Sequence, residues 1–145
     1  PHGFAAPLSD NQPHLDDART ALDAAWTALT AHVPAERVVI VGFSQGACLA
    51  LTWLSAAGVT PGAVVAMTGA HTDIGGGFSG LSGVAVHLSG SAADPWVPAD
   101  AIATTAAALS AAGADVHRVV IPGATHTIHD VDRTALSAVT TALLA

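Results

Sequence analysis

The stretch VVIVGFSQGACLAL, residues 38–51, decides the fold of this chain. Its first half is an unbroken run of β-branched and apolar residues, which predicts a strand over 37–43 that is buried on both faces of a sheet. Its second half is apolar with a helical period, which predicts a helix over 45–57. A glycine-flanked serine lies where the strand gives way to the helix. This junction predicts a sharp turn at which the serine has a functional role.

Ser44 occupies that turn within a G-x-S-x-G pattern, preceded by the strand and followed by the helix that the pattern requires. Side chains at Gly42 or Gly46 are expected to collide with neighbouring backbone, and the turn lifts the serine hydroxyl clear of the sheet. The helix dipole favours negative charge there, and the backbone N–H of Gln45 is expected to point toward a developing oxyanion. The pattern predicts a nucleophile; the alternative is that Ser44 only caps the helix.

Strands and helices alternate along the rest of the chain. Further strands are predicted over 63–68, 84–90 and 115–123, and further helices over 15–32, 100–113 and 132–144. This alternation is typical of an α/β fold, a parallel sheet of about four strands with helices on both faces. Residues 1–145 are expected to form a single domain.

Composition limits the classes of function. The chain has 145 residues, is 51% hydrophobic and carries a formal charge of -7 with His neutral. The charge argues against binding to nucleic acid or to an anionic membrane surface. No apolar run approaches the roughly 20 residues needed to span a bilayer. Cys48 is the single cysteine, so no intrachain disulfide is possible, which fits a reducing compartment and a cytoplasmic location.

Two later loops carry acid–base side chains. Active sites of parallel sheets lie beyond the carboxyl ends of the strands. Asp94 is the only acid in SGSAADPWVP, which follows the third predicted strand, and by itself it reads as a turn residue before proline. PGATHTIHD follows the fourth strand and offers His126 and His129, which by themselves read as surface histidines. Serine, aspartate and histidine after successive strands is the chain order of the α/β-hydrolase triad.

The segments GFSQGACLAL, SGSAADPWVPA and IPGATHTIHD resemble the phospholipase/carboxylesterase family, bacterial relatives of acyl-protein thioesterases. Its members carry GFSQG, D-P-x-V-P and G-H-x-I segments in the same order. The resemblance implies Ser44 as nucleophile, Asp94 as acid and His126 as base. It favours His126 over His129 because H-T-I matches H-x-I. It also implies hydrolysis of a small carboxylic ester or thioester through an acyl-enzyme, with no cofactor.

The chain departs from the family in two ways. Thr125 stands where the family has glycine before the histidine. Family members are also longer by several strands at the N-terminus, including an H-G-x-G-type loop that supplies a second oxyanion N–H. PHGF, residues 1–4, is not that loop because no strand precedes it, so the resemblance implies a truncated domain with one oxyanion donor, Gln45. The strand over 37–43 then becomes an apolar edge. We expect a missing segment or a second copy in a homodimer to cover it; the alternative is coverage by the N-terminal loop and helix.

The remaining candidates are weaker. Eight histidines form neither H-E-x-x-H nor a Cys/His cluster, so no metal site is predicted. Phe43 and Trp96, with Phe4, are predicted to line an acyl pocket, whereas Trp53 is predicted to belong to the core. A second hypothesis is a non-catalytic module that binds a partner or small ligand. A third keeps catalysis but shifts the substrate toward dienelactone-type or peptide-like acyl transfer.

Overall fold

Helices separate the strands in the structure as the sequence predicts, except that no helix lies between the second and third strands among the described residues. The computed structural model describes residues 6–73 and 77–144; PHGF with Phe4 lies outside the described residues. Within that part, the strands are β1 (Val39–Phe43), β2 (Ala63–Met67), β3 (Ala85–Ser91) and β4 (Asp115–Ile121). The α-helices are α1 (His14–Thr30), α2 (Gln45–Ala57), α3 (Ala99–Ala111) and α4 (Asp130–Leu144). No helix in these ranges is long and apolar enough to cross a membrane.

The four strands form one parallel sheet in the order β1-β2-β3-β4. Side chains of α2 and α3 share one core cluster on the same face of this sheet, as the usual right-handed crossovers require. A Cβ at Gly90 of β3 would overlap the side chain of Ile102 in α3, so that face is closely packed. His87 lies three residues before Gly90 on β3, so it points to the other face, where it contacts Asp132 of α4. The predicted α/β fold, with helices on both faces, is confirmed.

The hydrophobic core lies between the sheet and the layer formed by α1, α2 and α3. Its largest fully buried apolar side chains come from α2, β2, β3 and α3 and include Leu51, Val64, Val86, Leu88, Ile102 and Leu109. Full burial of one such side chain contributes roughly 1.5–3 kcal/mol. Trp53 is buried, as predicted, and its indole N–H donates to Asp23 Oδ1 of α1 at 2.7 Å. This bond fixes α1 against α2.

The prediction that the first strand is buried on both faces is wrong. Val41 is 45% exposed and Phe43 is 36% exposed, whereas every residue of β2 is buried. The reason is position, since β1 is the first strand of the sheet and α4 contacts β2 and β3 on that face. Coverage of the β1 edge by a second copy or a further segment stays a prediction.

Candidate active site

The turn between β1 and α2 holds Ser44 in a strained backbone conformation. Its φ is 53° and its ψ is -122°, a region that non-glycine residues rarely adopt. The Ser44 N–H donates to the Met67 carbonyl at 2.9 Å, and its own carbonyl accepts from the Cys48 N–H at 3.0 Å. A Cβ at Gly42 would lie 2.6 Å from Ala47 Cα, so the turn requires glycine there.

The prediction that Gly46 is sterically required is wrong. A Cβ at that position would have no neighbouring atom within 4 Å, because Gly46 lies exposed in the first turn of α2. The second glycine that is crowded against the Ser44 turn is Gly69, just after β2. A Cβ there would approach Ala47 Cβ to 2.5 Å and the Ser44 carbonyl oxygen to 3.1 Å. No sequence signal distinguishes Gly69 from the other glycines of the following loop.

The loops after β3 and β4 bring an acid and a base to Ser44. Ser44 Oγ lies 2.7 Å from Nε2 of His126. The other ring nitrogen of His126, Nδ1, lies 2.9 Å and 3.1 Å from the two carboxylate oxygens of Asp94. A carboxylate only accepts, so Nδ1 carries the proton and Nε2 is left to accept from Ser44. His129 points elsewhere, with Nε2 3.3 Å from Thr125 Oγ1.

Asp94 is held as a buried carboxylate. Its side chain has no exposed surface, and Oδ1 accepts the backbone N–H groups of Trp96 at 2.7 Å and Val97 at 2.9 Å. Burial by itself would raise the pKa of this carboxyl, but the hydrogen bonds from Val97, Trp96 and His126 outweigh burial and lower the pKa below its usual 3.8. Asp94 is therefore ionised at neutral pH and fixes the orientation of the His126 ring.

The other predicted site residues are Phe43, Trp96 and Gln45. The ring of Phe43 lies 5.6 Å from that of His126, measured between centroids. The Trp96 side chain is 66% exposed, while its backbone serves Asp94. Gln45 is the first residue of α2, and N–H groups in the first turn of a helix have no acceptor within the helix. These positions are compatible with the predicted pocket and oxyanion roles, which stay predictions.

Comparison with known proteins decides the family. Residues 15–143 match the family model described as phospholipase/carboxylesterase. The chain belongs to this family. The resemblance seen in the sequence motifs is thereby confirmed, and the family is one of hydrolase-type enzymes.

Solved structures agree with this assignment. A phospholipase/carboxylesterase from Dyadobacter fermentans is 31% identical with a TM-score of 0.87, over 100% of this chain and 70% of that one. Esterase PE8 is 25% identical with a TM-score of 0.72, over 89% and 61% of the two chains. A variant of SOBER1 from Arabidopsis thaliana shares the fold, at 19% identity and a TM-score of 0.75 over 92% and 67%. No curated protein matches the sequence.

In this phospholipase/carboxylesterase-family chain, Thr125 stands in place of the expected glycine and is held by hydrogen bonds to β3. The Thr125 hydroxyl lies 2.7 Å from Ser91 Oγ, and the Ser91 hydroxyl reaches the Thr125 carbonyl. On the other side of His126, the Thr68 hydroxyl donates to the Thr127 carbonyl at 2.9 Å. Sequence reasoning missed Ser91 and Thr68. The loop that carries His126 is therefore attached to the sheet on both sides of the ring.

Replacement of Ser44 by glycine is expected to stabilise the fold. Glycine adopts positive φ without a steric penalty, and a strained residue of this kind costs about 1–3 kcal/mol. The unfolded chain gains entropy, which offsets about 0.4–1 kcal/mol. Urea unfolding should show Ser44→Gly to be about 1 kcal/mol more stable than Ser44→Ala, which keeps the Cβ and the strain. Equal stabilities of the two variants would mean that the turn relaxes.

The free energy of unfolding is expected to fall in acid. Asp94 and Asp132 of α4 both have pKa values below the usual 3.8 in the folded chain. The unfolded chain then binds more protons than the folded chain near and below pH 3.8. The two carboxylates therefore stabilise the fold above that pH, and their contribution to the free energy of unfolding is lost as the pH falls through the folded pKa values. Urea titrations between pH 7 and pH 3 measure the loss, and Asp94→Asn should show a shallower dependence. A free energy that stays constant to pH 3 would contradict the expectation.

Proposed function

We propose that this chain is a serine hydrolase that cleaves carboxylic esters, or thioesters, through an acyl-enzyme. The observation that carries the proposal is the 2.7 Å contact between Ser44 Oγ and His126 Nε2, with Asp94 on the far ring nitrogen. The reaction class is supported by the relatives, one named phospholipase/carboxylesterase and another named esterase. The required groups are all side chains or backbone of this chain, so the proposed reaction uses no cofactor.

In the acylation step, Ser44 Oγ attacks the substrate carbonyl carbon while its proton passes to His126 Nε2. Negative charge collects on the carbonyl oxygen, where the Gln45 N–H donates a hydrogen bond. The Asp94 carboxylate stabilises the imidazolium. The tetrahedral adduct then collapses: the bond to the leaving group breaks, and His126 gives its proton to the departing alkoxide or thiolate.

Deacylation repeats these steps with water. His126 Nε2 takes a proton from a water molecule as the water oxygen attacks the acyl carbon. The adduct expels Ser44 Oγ, which regains its proton from His126, and the carboxylic acid leaves. The chain returns to its starting state, and the reaction balances because one water is consumed for each ester bond cleaved.

The proposed substrate has a short to medium acyl chain. Phe43 directly precedes the nucleophile and Trp96 follows the acid by two residues, and both present exposed aromatic surface. Apolar contact with these rings would hold an acyl group. Esters and thioesters are both proposed because the family resemblance covers both kinds of leaving group.

Labelling with a fluorophosphonate tests the proposal. The folded chain should take up a single label at Ser44, located by peptide mass spectrometry, and should release p-nitrophenol from p-nitrophenyl esters of short acyl chains. The fluorophosphonate needs the activated hydroxyl but not the natural substrate, so the test does not depend on knowing that substrate. A folded chain that neither labels nor hydrolyses these esters would overturn the proposal.

One observation favours the alternative of a non-catalytic module. The proposed mechanism assigns one oxyanion donor, the Gln45 N–H, and the loss of a single donor of this kind can lower the rate about 10²–10³-fold. Val41 on the β1 edge is 45% exposed, as expected of a surface that binds a partner. Under this alternative the chain folds but does not label, whereas slow but complete labelling supports the hydrolase.

A further inference from the structure

A stripe of polar side chains runs along β3 beneath the loop that carries His126. His87, Ser89 and Ser91 occupy alternate positions and all point to the α4 face. Their exposed fractions are 3%, 0% and 0%. Strands in the middle of a parallel sheet are normally apolar on both faces, and buried polar groups need hydrogen-bond partners. The partners of this stripe therefore show what it supports.

The upper half of the stripe holds the His126 loop, residues 125–129. Ser91 bonds to Thr125, the residue before His126. Ser89 Oγ accepts the Thr68 N–H at 3.3 Å, and the Thr68 hydroxyl donates to the Thr127 carbonyl. The neighbours of His126 on both sides are thus connected to β2 and β3.

The lower half of the stripe contacts Asp132 of α4, which has no exposed surface. Asp132 Oδ1 lies 2.8 Å from His87 Nε2, and Oδ2 accepts the backbone N–H of His129 at 2.8 Å. Ser89 also hydrogen-bonds to this carboxylate. The bond to His129 is the returning half of a capping box, in which the third residue of a helix reaches back to the residue before it. Asp132 differs from an ordinary cap because its second oxygen is fixed to the sheet.

Asp132 makes these bonds as a carboxylate. Burial alone would raise its pKa, but the hydrogen bonds from His87, Ser89 and the His129 N–H outweigh burial and lower the pKa below 3.8. Bonds to an ionised acceptor are roughly twice as strong as those between neutral groups. The far nitrogen of His87 lies 3.4 Å from His117 Nδ1 on β4, which extends the support to the next strand.

We propose that Asp132 is a positioning residue that sets the place of His126 relative to Ser44 by joining the His129 N–H to His87. His129 follows His126 by three residues, so release of its N–H frees one end of a short loop. The sheet that carries His87 also carries the Ser44 turn. The link through Asp132 therefore holds His126 and Ser44 in position relative to the same sheet. The inference rests on the proposed hydrolase function. It concerns how the base is held and adds no group to the chemistry.

The test compares Asp132→Ala with Asp130→Ala. Both remove an acid from the first turn of α4, but Asp130 is 99% exposed and pairs with Arg133. A displacement of about 1 Å in a catalytic group can cost about 10²-fold. We expect Asp132→Ala to lower kcat on p-nitrophenyl esters by about that factor with KM within about twofold, and Asp130→Ala to leave both unchanged. Rates are measured at a temperature where circular dichroism shows each variant fully folded.

The conservative variant Asp132→Asn separates positioning from general stability. The asparagine oxygen still accepts from His129, and its amide donates to His87 in the alternative ring tautomer. We expect kcat to return to within about tenfold of the unmutated chain, because the neutral amide keeps both hydrogen bonds and the net value of one ordinary hydrogen bond is at most about tenfold. If Asp132 served stability alone, every folded variant would keep the full kcat, and that result would overturn the inference.

Two additions keep the test decisive. Where Asp132→Ala does not fold, the double variant His87→Leu/Asp132→Leu replaces both buried partners by apolar groups, which is often nearly neutral for stability. It should show the same loss of kcat, and full activity would overturn the inference.

The second readout is the NMR nuclear Overhauser contact between the rings of His126 and Phe43, whose centroids are 5.6 Å apart.

The NMR readout separates failure of the inference from failure of the proposed function. If the unmutated chain labels with fluorophosphonate and Asp132→Ala keeps its kcat and ring contact, the inference fails and the function stands. If the unmutated chain does not label, the function fails, and the inference is decided by whether Asp132→Ala loses the ring contact that Asp130→Ala retains.

Discussion

Replacement of Ser44 by alanine is expected to lower kcat on p-nitrophenyl esters by about 10⁴-fold or more, because the variant has no oxygen to form the acyl-enzyme. The fold should survive the change. Alanine keeps the Cβ, so the backbone strain at φ 53° is the same, and the backbone bonds to Met67 and Cys48 do not involve the hydroxyl. Loss of activity then reports chemistry and not unfolding.

The measurement pairs ester turnover with fluorophosphonate labelling. Ser137→Ala is the matched control, since Ser137 is exposed on α4 and lies outside the proposed machinery. We expect Ser137→Ala to label and to turn over ester normally, while Ser44→Ala does neither. A normal burst of labelling in Ser44→Ala would assign the nucleophile to another residue and end the present proposal.

Replacement of Asp94 by asparagine is expected to lower kcat by about 10⁴-fold at neutral pH. The asparagine oxygen can still accept the N–H groups of Trp96 and Val97, so its amide nitrogen must face His126. Nδ1 of His126 then has to accept, which moves the ring proton to Nε2. With that tautomer the ring cannot take the proton of Ser44.

Asp100→Asn provides the control for this variant. Asp100 is an exposed acid in the first turn of α3 whose carboxylate bonds only a neighbouring backbone N–H among the contacts described. Its kcat should match that of the unmutated chain. An Asp94→Asn variant that retains kcat within about tenfold would show that the carboxylate does not set the tautomer, against the usual cost of that change.

Much of the candidate site was predictable because its signals are local. The strand–turn–helix around Ser44 follows from a β-branched run, a glycine, and a helical period within 14 residues. Asp94 and His126 each follow a strand that the apolar runs locate. The parallel sheet is predictable from the helices that separate most of the successive strands, because strands joined by a helix usually run in one direction. The connection from β2 to β3 has no helix among the described residues, so this pair does not follow from alternation. The roles of these residues remain predictions until the variants are measured.

Other features were not predictable because they depend on contacts between distant residues. The link between His87 and Asp132 joins positions 45 residues apart, and each residue reads locally as an ordinary polar position. The crowding at Gly69 comes from Ala47 in another element. The exposure of Val41 depends on which strand α4 covers, which no pattern within β1 encodes.

The sequence by itself determined the order of strands and helices, the strained serine turn, and the loops that carry the acid and the histidines. Those depend on backbone sterics and apolar period over a few residues. The sequence motif favoured His126 over His129, but only the tertiary structure brought its ring to Ser44 and connected the His126 loop to a buried carboxylate on α4. The physical reason is that hydrogen bonds between side chains act over about 3 Å, and only the folded chain brings such distant residues that close.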